Sequence, residues 1–230
     1  MPKYVKNTTL PSLLDLVSPH SCRGCGALGS PLCNRCKNYI LNSHKPFCPN
    51  CKTIISSYHT KCPNCKNLPL VYTVSNRNGL LGDLIHDYKY YSIRALARPL
   101  AELLSAILPM NLPNNSILVP LPTASHHIRM RGLDHTYLIS KHLAKLRQLD
   151  LERILIRNRN TVQVGADRST RLSQASLAYT LNPKIAINPQ KTYILFDDVW
   201  TTGASILAAK NLLEKLGAKN IIIALLAYSS

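Results

Sequence analysis

The sequence predicts an α/β fold, a parallel sheet with helices on both faces, preceded by a small cysteine-rich unit. Three observations carry this. Residues 116–119, 193–196 and 220–227 are short apolar runs of the kind that form strands buried inside a sheet. Stretches with helical spacing alternate with them, which implies a doubly wound parallel sheet whose ligands bind beyond the carboxyl ends of its strands. All eight cysteines fall within residues 22–65, ahead of these runs. A chain of 230 residues can bury one substantial core plus an appendage. The expected division is an N-terminal segment at 1–20, a cysteine-rich domain at 21–70 and the sheet domain at 71–230.

The cysteines form four Cys-x-x-Cys pairs, Cys22/Cys25, Cys33/Cys36, Cys48/Cys51 and Cys62/Cys65. Two intervening residues let both sulfurs reach one ion at about 2.3 Å, so four pairs make two tetrahedral Zn²⁺ sites. Gly24 and Gly26, with Pro49-Asn50 and Pro63-Asn64, supply the turn chemistry. Sequential pairing would give two consecutive zinc ribbons, and cross-braced pairing would interleave them; the sequence leaves both open. His20, His44 and His59 lie nearby but are not needed as ligands. With no secretory leader pattern and no apolar run of bilayer length, a soluble cytoplasmic protein without membrane insertion is expected, where clustered cysteines bind metal rather than form disulfides.

Residues 80–108 read as one helix, apolar at Leu81, Leu84, Ile85, Tyr88, Leu96, Leu100, Leu103, Leu104 and Ile107. Lys89, Tyr90, Tyr91, Arg94 and Arg98 mix aromatics with cations on its exposed part, which suits stacking on bases beside contacts to phosphates, or else tyrosines that simply pack against the next domain. The strand at 116–119 is closed by Pro120, Leu121, Pro122 and Thr123. A donor-rich loop follows, with His126, His127, Arg129 and Arg131, and then a helix at about 136–147. Residues 157–179 are irregular and basic.

Residues 192–205 are the most informative stretch. A buried strand ends in Asp197 and Asp198, and the small-residue loop Thr201, Thr202, Gly203, Ala204 and Ser205 runs into a helix at 206–216. Backbone N–H groups, hydroxyls and the helix N-terminus together make a cradle for a phosphate monoester. Two adjacent carboxylates would repel a second phosphate, so they read as acceptors for vicinal sugar hydroxyls. Two capping aspartates ahead of a helix would explain the acids but not the loop. The Gly-x-Gly-x-x-Gly and Gly-x-x-x-x-Gly-Lys-Ser/Thr motifs are absent. Trp200, the lone tryptophan, sits at a spacer position beside the loop.

The net charge is +17, from 28 Lys and Arg against 11 Asp and Glu. Eight thiolates on two Zn²⁺ would lower it to about +13, still pointing to a polyanionic partner. Residues 1–70 hold one acid, Asp15, against nine cations, and Arg153, Arg157, Arg159, Arg168 and Arg171 form a second basic stretch.

The strand, paired acids and Thr-Thr-Gly loop resemble the phosphoribosyl-pyrophosphate (PRPP) signature of type I phosphoribosyltransferases. Together with the cysteine pairs, the run Leu84-Ile85-His86-Asp87-Tyr88-Lys89-Tyr90, and Val119-Pro120-Leu121-Pro122 with Arg129 and Arg131-Gly132, the chain resembles the ComF/GntX group of competence proteins over residues 20–228. It departs from that pattern at Leu133-Asp134-His135, where members carry Phe-Asn-Gln, and at Leu172-Ser173-Gln174. The resemblance implies a type I phosphoribosyltransferase-like sheet behind a double zinc ribbon, and a role with incoming single-stranded DNA in natural transformation. It also implies a PRPP site: 5′-phosphate on residues 201–205, ribose on Asp197 and Asp198, diphosphate on Pro120, Leu121, Pro122, Arg129 and Arg131. The nucleic-acid set would be Lys89, Tyr90, Tyr91, Arg94, Arg157, Arg159, Arg168 and Arg171. Helicase or recombination proteins of the uptake pathway would be partners. The alternative is an active transferase in which PRPP binds with Mg²⁺, Asp197 and Asp198 are catalytic, and the acceptor is unidentified.

Overall fold

The computed structural model describes residues 20–43, 48–55, 61–65, 67–158 and 178–229. In chain order its elements are α1 (Asn34–Asn42), β1 (Leu70–Asn76), α2 (Leu80–Tyr90), a 3-10 turn (Arg94–Leu96), α3 (Ala97–Ile107), β2 (Ser116–Pro120), α4 (Ser125–Arg131), α5 (His135–Arg147), β3 (Asp150–Leu151), β4 (Leu155–Arg157), β5 (Tyr179–Leu181), β6 (Thr192–Trp200), α6 (Ala204–Lys215) and β7 (Asn220–Tyr228). Five strands form one sheet in the order β1-β7-β6-β2-β3, every pairing parallel, and β4 and β5 pair antiparallel beside it. This is the α/β class that strand–helix alternation implies.

The strands are apolar on both faces because both faces are covered. Tyr72, Val74, Leu118, Ile194, Phe196, Ala224 and Leu226 pack with apolar residues of α2, α3 and α5. The alternate positions Val71, Ile117, Val119, Tyr193, Leu195, Ile223 and Leu225 pack with Ile206, Ala208, Ala209 and Leu213 of α6. That is the period of two expected of a strand, now serving two cores.

The cysteine region joins these cores. Cys22, Leu32, Cys36 and Ile40 belong to the first cluster. Cys48, Ile55 and Cys62 belong to the second. The two cysteine modules therefore pack on opposite faces of the sheet. Fully buried Leu32 alone contributes roughly 2 kcal/mol to that attachment.

Several elements differ from the sequence expectation. The helix expected at 80–108 is two helices, because eight positions separate buried Tyr88 from buried Leu96 and Ser92 between them turns into the left-handed region at φ 54°. The loop around His126 contains α4, closed by Gly132 at φ 64°. β6 runs on through both acids to Trp200, since β7 pairs with it as far as Tyr228. β1, β3 and the β4–β5 pair were not anticipated; they are short or take their stability from distant partners.

Candidate functional site

Asp197 and Asp198 project from the carboxyl end of β6, with the Asp198 N–H donating to Asp197 Oδ1 at 2.9 Å. The loop then turns through Gly203 at φ 75°, where α6 begins without a side-chain cap on its first turn. Thr202 Oγ1 accepts the Ala204 N–H at 3.4 Å. Gly203 is required twice over. Its φ is left-handed, and a Cβ there would lie 2.3 Å from the ring of Trp200, which is 2% exposed. Trp200 therefore packs against the loop from below. A 40 Å³ cavity is lined by Asp197 and residues 201–205. A second, of 210 Å³, shares Asp197 and Ser205 with it, so the two are parts of one cleft.

The far wall of the cleft is cationic. Lys89, Arg131, Arg157 and His127 line it, with Leu121, Pro122, Thr123, Thr136 and Tyr179. Lys89 Nζ stands 2.6 Å from Asp198 Oδ2, and each side chain is only 16% exposed. Burial, and then the neighbouring Asp198 charge, push the Asp197 carboxyl up to about 7, although Lys89 and Arg157 pull the other way. Part of that residue's surface faces the cleft, but protein surrounds its carboxylate closely enough for desolvation to dominate. Burial and the cations Arg131, His126, Arg157 and Lys89 lower His127, which favours its neutral form.

α2 and α5 are latched together behind Lys89. The Tyr88 hydroxyl donates to the His135 carbonyl at 3.0 Å, and His135 Nε2 donates to the Tyr88 carbonyl at 3.1 Å. His135 is buried, and its Nδ1 has no partner among the described residues. Burial and Arg131 lower its pKa. Asp134 is the N-cap of α5, accepting the Tyr137 N–H at 3.3 Å together with the hydroxyls of Thr123 and Thr136 at 3.0 and 3.2 Å. The departure from the family pattern at Asp134 and His135 is thus a capped, latched helix start.

Of the residues expected at a diphosphate, Leu121, Pro122 and Arg131 line the cleft and Pro120 ends β2. Arg129 is exposed on α4 and lines neither cavity. Of those expected at nucleic acid, Lys89 and Arg157 face into the cleft. Tyr90 and Tyr91 are exposed beside His86, with ring centroids 4.8 and 5.5 Å from it. Arg94 donates to the Gly132 carbonyl at 3.2 Å. Arg159, Arg168 and Arg171 lie outside the described residues, as do His44 and His59. Sequence reasoning missed Thr123, Thr136 and Tyr179 in the lining, and the pairing of Lys89 with Asp198. A signal for Lys89 existed, since it continues the i, i+4 ridge of buried Leu81 and Ile85.

The sulfurs of Cys22, Cys25, Cys33 and Cys36 lie within 4.8 Å of one another, as do those of Cys48, Cys51, Cys62 and Cys65. Pairing is therefore sequential, which settles the alternative the sequence left open. Cys25 and Cys33 sulfurs are 3.6 Å apart, Cys51 and Cys62 3.4 Å, and Cys48 and Cys65 3.9 Å. A tetrahedron of sulfurs around Zn²⁺ has edges of about 3.8 Å, so both sets fit that ion, and all eight thiols are free of disulfides. Burial and nearby thiols push Cys36 up to about 12, and burial does the same for Cys48. Four thiolates this close ionise together only around a cation. Exposed His20 belongs to neither set.

Parallel strands carrying two acids and a Thr-Thr-Gly loop at their carboxyl edge give the chain a type I phosphoribosyltransferase-like fold, behind a cysteine-rich unit with two Cys₄ sites compatible with structural zinc. Over 220 residues the chain is 29% identical to competence protein ComFC of Streptococcus pneumoniae, across 93% of this chain and 90% of that one. No family model matches the chain. Among solved structures it is similar to the glutamine PRPP amidotransferase of B. subtilis, with TM-score 0.41 and 13% identity over 60% of this chain. It is also similar to a hypoxanthine phosphoribosyltransferase of Staphylococcus aureus, with TM-score 0.36 and 12% identity over 60% of this chain. The match spans 30% of the first of those chains and 64% of the second.

Proposed function

We propose that this protein is a cytoplasmic handler of single-stranded DNA in natural transformation, with a cleft that binds PRPP or a related ribose phosphate. The observation that carries the ligand half is the meeting, in one cleft, of Asp197, Asp198 and residues 201–205 on one wall with Arg131 and Arg157 on the other. The 5′-phosphate rests on the loop amides and the α6 N-terminus, where hydroxyls and the helix dipole favour a dianion. Asp197 accepts hydrogen bonds from the ribose diol, and Arg131 and Arg157 neutralise further phosphate oxygens. The relation to ComFC and the net charge of +17 support the DNA half. Exposed Tyr90 and Tyr91 beside Arg131, whose guanidinium lies 5.0 Å from the Tyr90 ring, offer a stacking surface at the cleft rim. Helicase or recombination proteins are the partner class this role implies. No helix among the described residues is long and apolar enough to cross a membrane.

Fluorescence anisotropy of labelled single-stranded and duplex DNA at several salt concentrations, with and without PRPP, tests this reading. Preferential single-strand binding that weakens steeply with salt is expected. Absence of DNA binding, or affinity indifferent to salt, overturns it.

A second reading, an active phosphoribosyltransferase, is favoured by the presence of both acids opposite a cationic wall. Carboxylates suit a cationic sugar in the transition state, and the arginines suit a departing diphosphate. Mg²⁺, which the resemblance implies, would share in neutralising that diphosphate. Pyrophosphate release from PRPP with a panel of nucleobases, amines and DNA ends, lost on replacing both aspartates by asparagine, is its test.

A further inference from the structure

We infer that Lys89 is a resident counter-ion for the paired acids, positioned by α2, and that it lets the cleft hold a phosphorylated ribose without a divalent cation. The inference rests on the ribose-phosphate reading of the cleft. Lys89 comes from outside the strand–loop–helix signature, more than a hundred residues upstream, yet its Nζ lies 2.6 Å from Asp198 Oδ2. That distance is a charge-assisted hydrogen bond at the short end of the range. An ammonium in that contact occupies the approach to Oδ2 that a metal at about 2.1 Å would need.

Nor is the contact a chance placement of a flexible side chain. Both partners are largely buried, which removes the solvent screening that makes surface pairs weak. The neighbouring residue Tyr88 is held at both its carbonyl and its hydroxyl by His135, so the last turn of α2 is anchored to α5. Ring contact at 4.9 Å between the two reinforces that anchor. The helix therefore delivers Lys89 to the acids as part of the fold.

The charge pattern follows. Lys89 balances Asp198, while Asp197 is the one acid left to receive sugar hydroxyls. Arg131 and Arg157 line the same cavity and meet the ligand's anionic oxygens. With Asp198 matched, the cavity is net cationic before anything binds. A divalent cation would add charge where the protein already supplies it, and would have to displace Lys89 from Asp198 to bridge both acids. The ligand class is accordingly a phosphorylated ribose whose hydroxyls face Asp197 and whose phosphates are neutralised by side chains alone.

The test uses the zinc-loaded full chain and the fluorescence of Trp200, which packs against the phosphate loop and is the only tryptophan. Ribose 5-phosphate and PRPP are titrated in buffer freed of Mg²⁺ by passage over a chelating resin, and again with Mg²⁺ restored, for wild type, Lys89→Gln and Lys89→Arg; calorimetry repeats each titration. Melting curves and zinc content establish that the variants are folded. For wild type, Mg²⁺ is expected to change affinity by less than about threefold. Lys89→Gln should lose about ten- to a hundredfold without Mg²⁺, the worth of a hydrogen bond to a charged group, and recover most of it when Mg²⁺ is added. Lys89→Arg should stay close to wild type. Wild-type binding that needs Mg²⁺, or a glutamine variant indistinguishable from wild type, overturns the role of Lys89 and leaves the ribose-phosphate site standing. If neither sugar phosphate binds wild type under any condition, the ribose-phosphate reading fails and the role of Lys89 fails with it.

Discussion

Asp197 illustrates how the site is held at a cost to stability. Its folded-state pKa, about 7, lies above its ordinary value of 3.8. The folded protein thus binds this proton more tightly than the unfolded chain, so the contribution of this group to stability is fully present below pH 3.8 and is lost as pH rises through about 7. Asp197→Asn should therefore be more stable than wild type at pH 8, by about 1 kcal/mol after allowance for partial exposure, and equally stable near pH 4. Ligand binding should move the opposite way, strengthening from pH 6 to pH 8 in wild type as the carboxylate ionises. Thermal melts and titrations across that range check both, and a flat wild-type profile would remove Asp197 from the diol. Gly203→Ala places a methyl against Trp200 in a left-handed backbone. It should cost about 1–3 kcal/mol, alter the emission of Trp200 and abolish sugar-phosphate binding.

At the scale of elements, α2 connects local sequence to the remote site. Tyr88→Phe removes the hydroxyl that satisfies the His135 carbonyl in a buried setting. About 1 kcal/mol of stability should be lost, with weaker ribose 5-phosphate binding because Lys89 is less firmly placed. Normal binding in this variant would show that the latch does not govern the lysine. The same helix marks the limit of what sequence alone discloses. The strand, acids, loop and helix of residues 192–215 were readable because each is specified by its immediate neighbours and they follow one another along the chain. The apolar ridge of α2 was readable too. That its last position would meet Asp198 was not, because the meeting depends on how α2 and β6 dock across the sheet. Arg157 was legible as a basic residue, but its place in the cleft follows from the pairing of β4 with β5, which local propensity does not encode.

For the molecule as a whole, the two Cys₄ sites have unequal surroundings. Cys22 and Cys36 share a core with the helices that carry the Tyr88–His135 latch. Cys48 and Cys62 share one with α6, which begins in the Thr-Thr-Gly loop. Cys36→Ser and Cys62→Ser should each halve the bound zinc and lower stability by several kcal/mol. The first should weaken the Lys89 side of the site, the second the loop side. Metal analysis, thermal melts and Trp200 emission separate the two. Zinc bound to one module only should thus leave one face of the sheet loosened and the other intact.

The pairing of β1 with β7 has a consequence for how the chain is made. Leu70 lies opposite Ile222, so the two strands that close one side of the sheet leave the ribosome about 150 residues apart. At ordinary elongation rates that gap lasts on the order of ten seconds. Through it the cysteine modules are complete and able to take metal, while the strand that follows them waits with its backbone groups unmatched. Zinc captured early would order the nascent chain around that strand and shield it from chance partners until its own mate is synthesised.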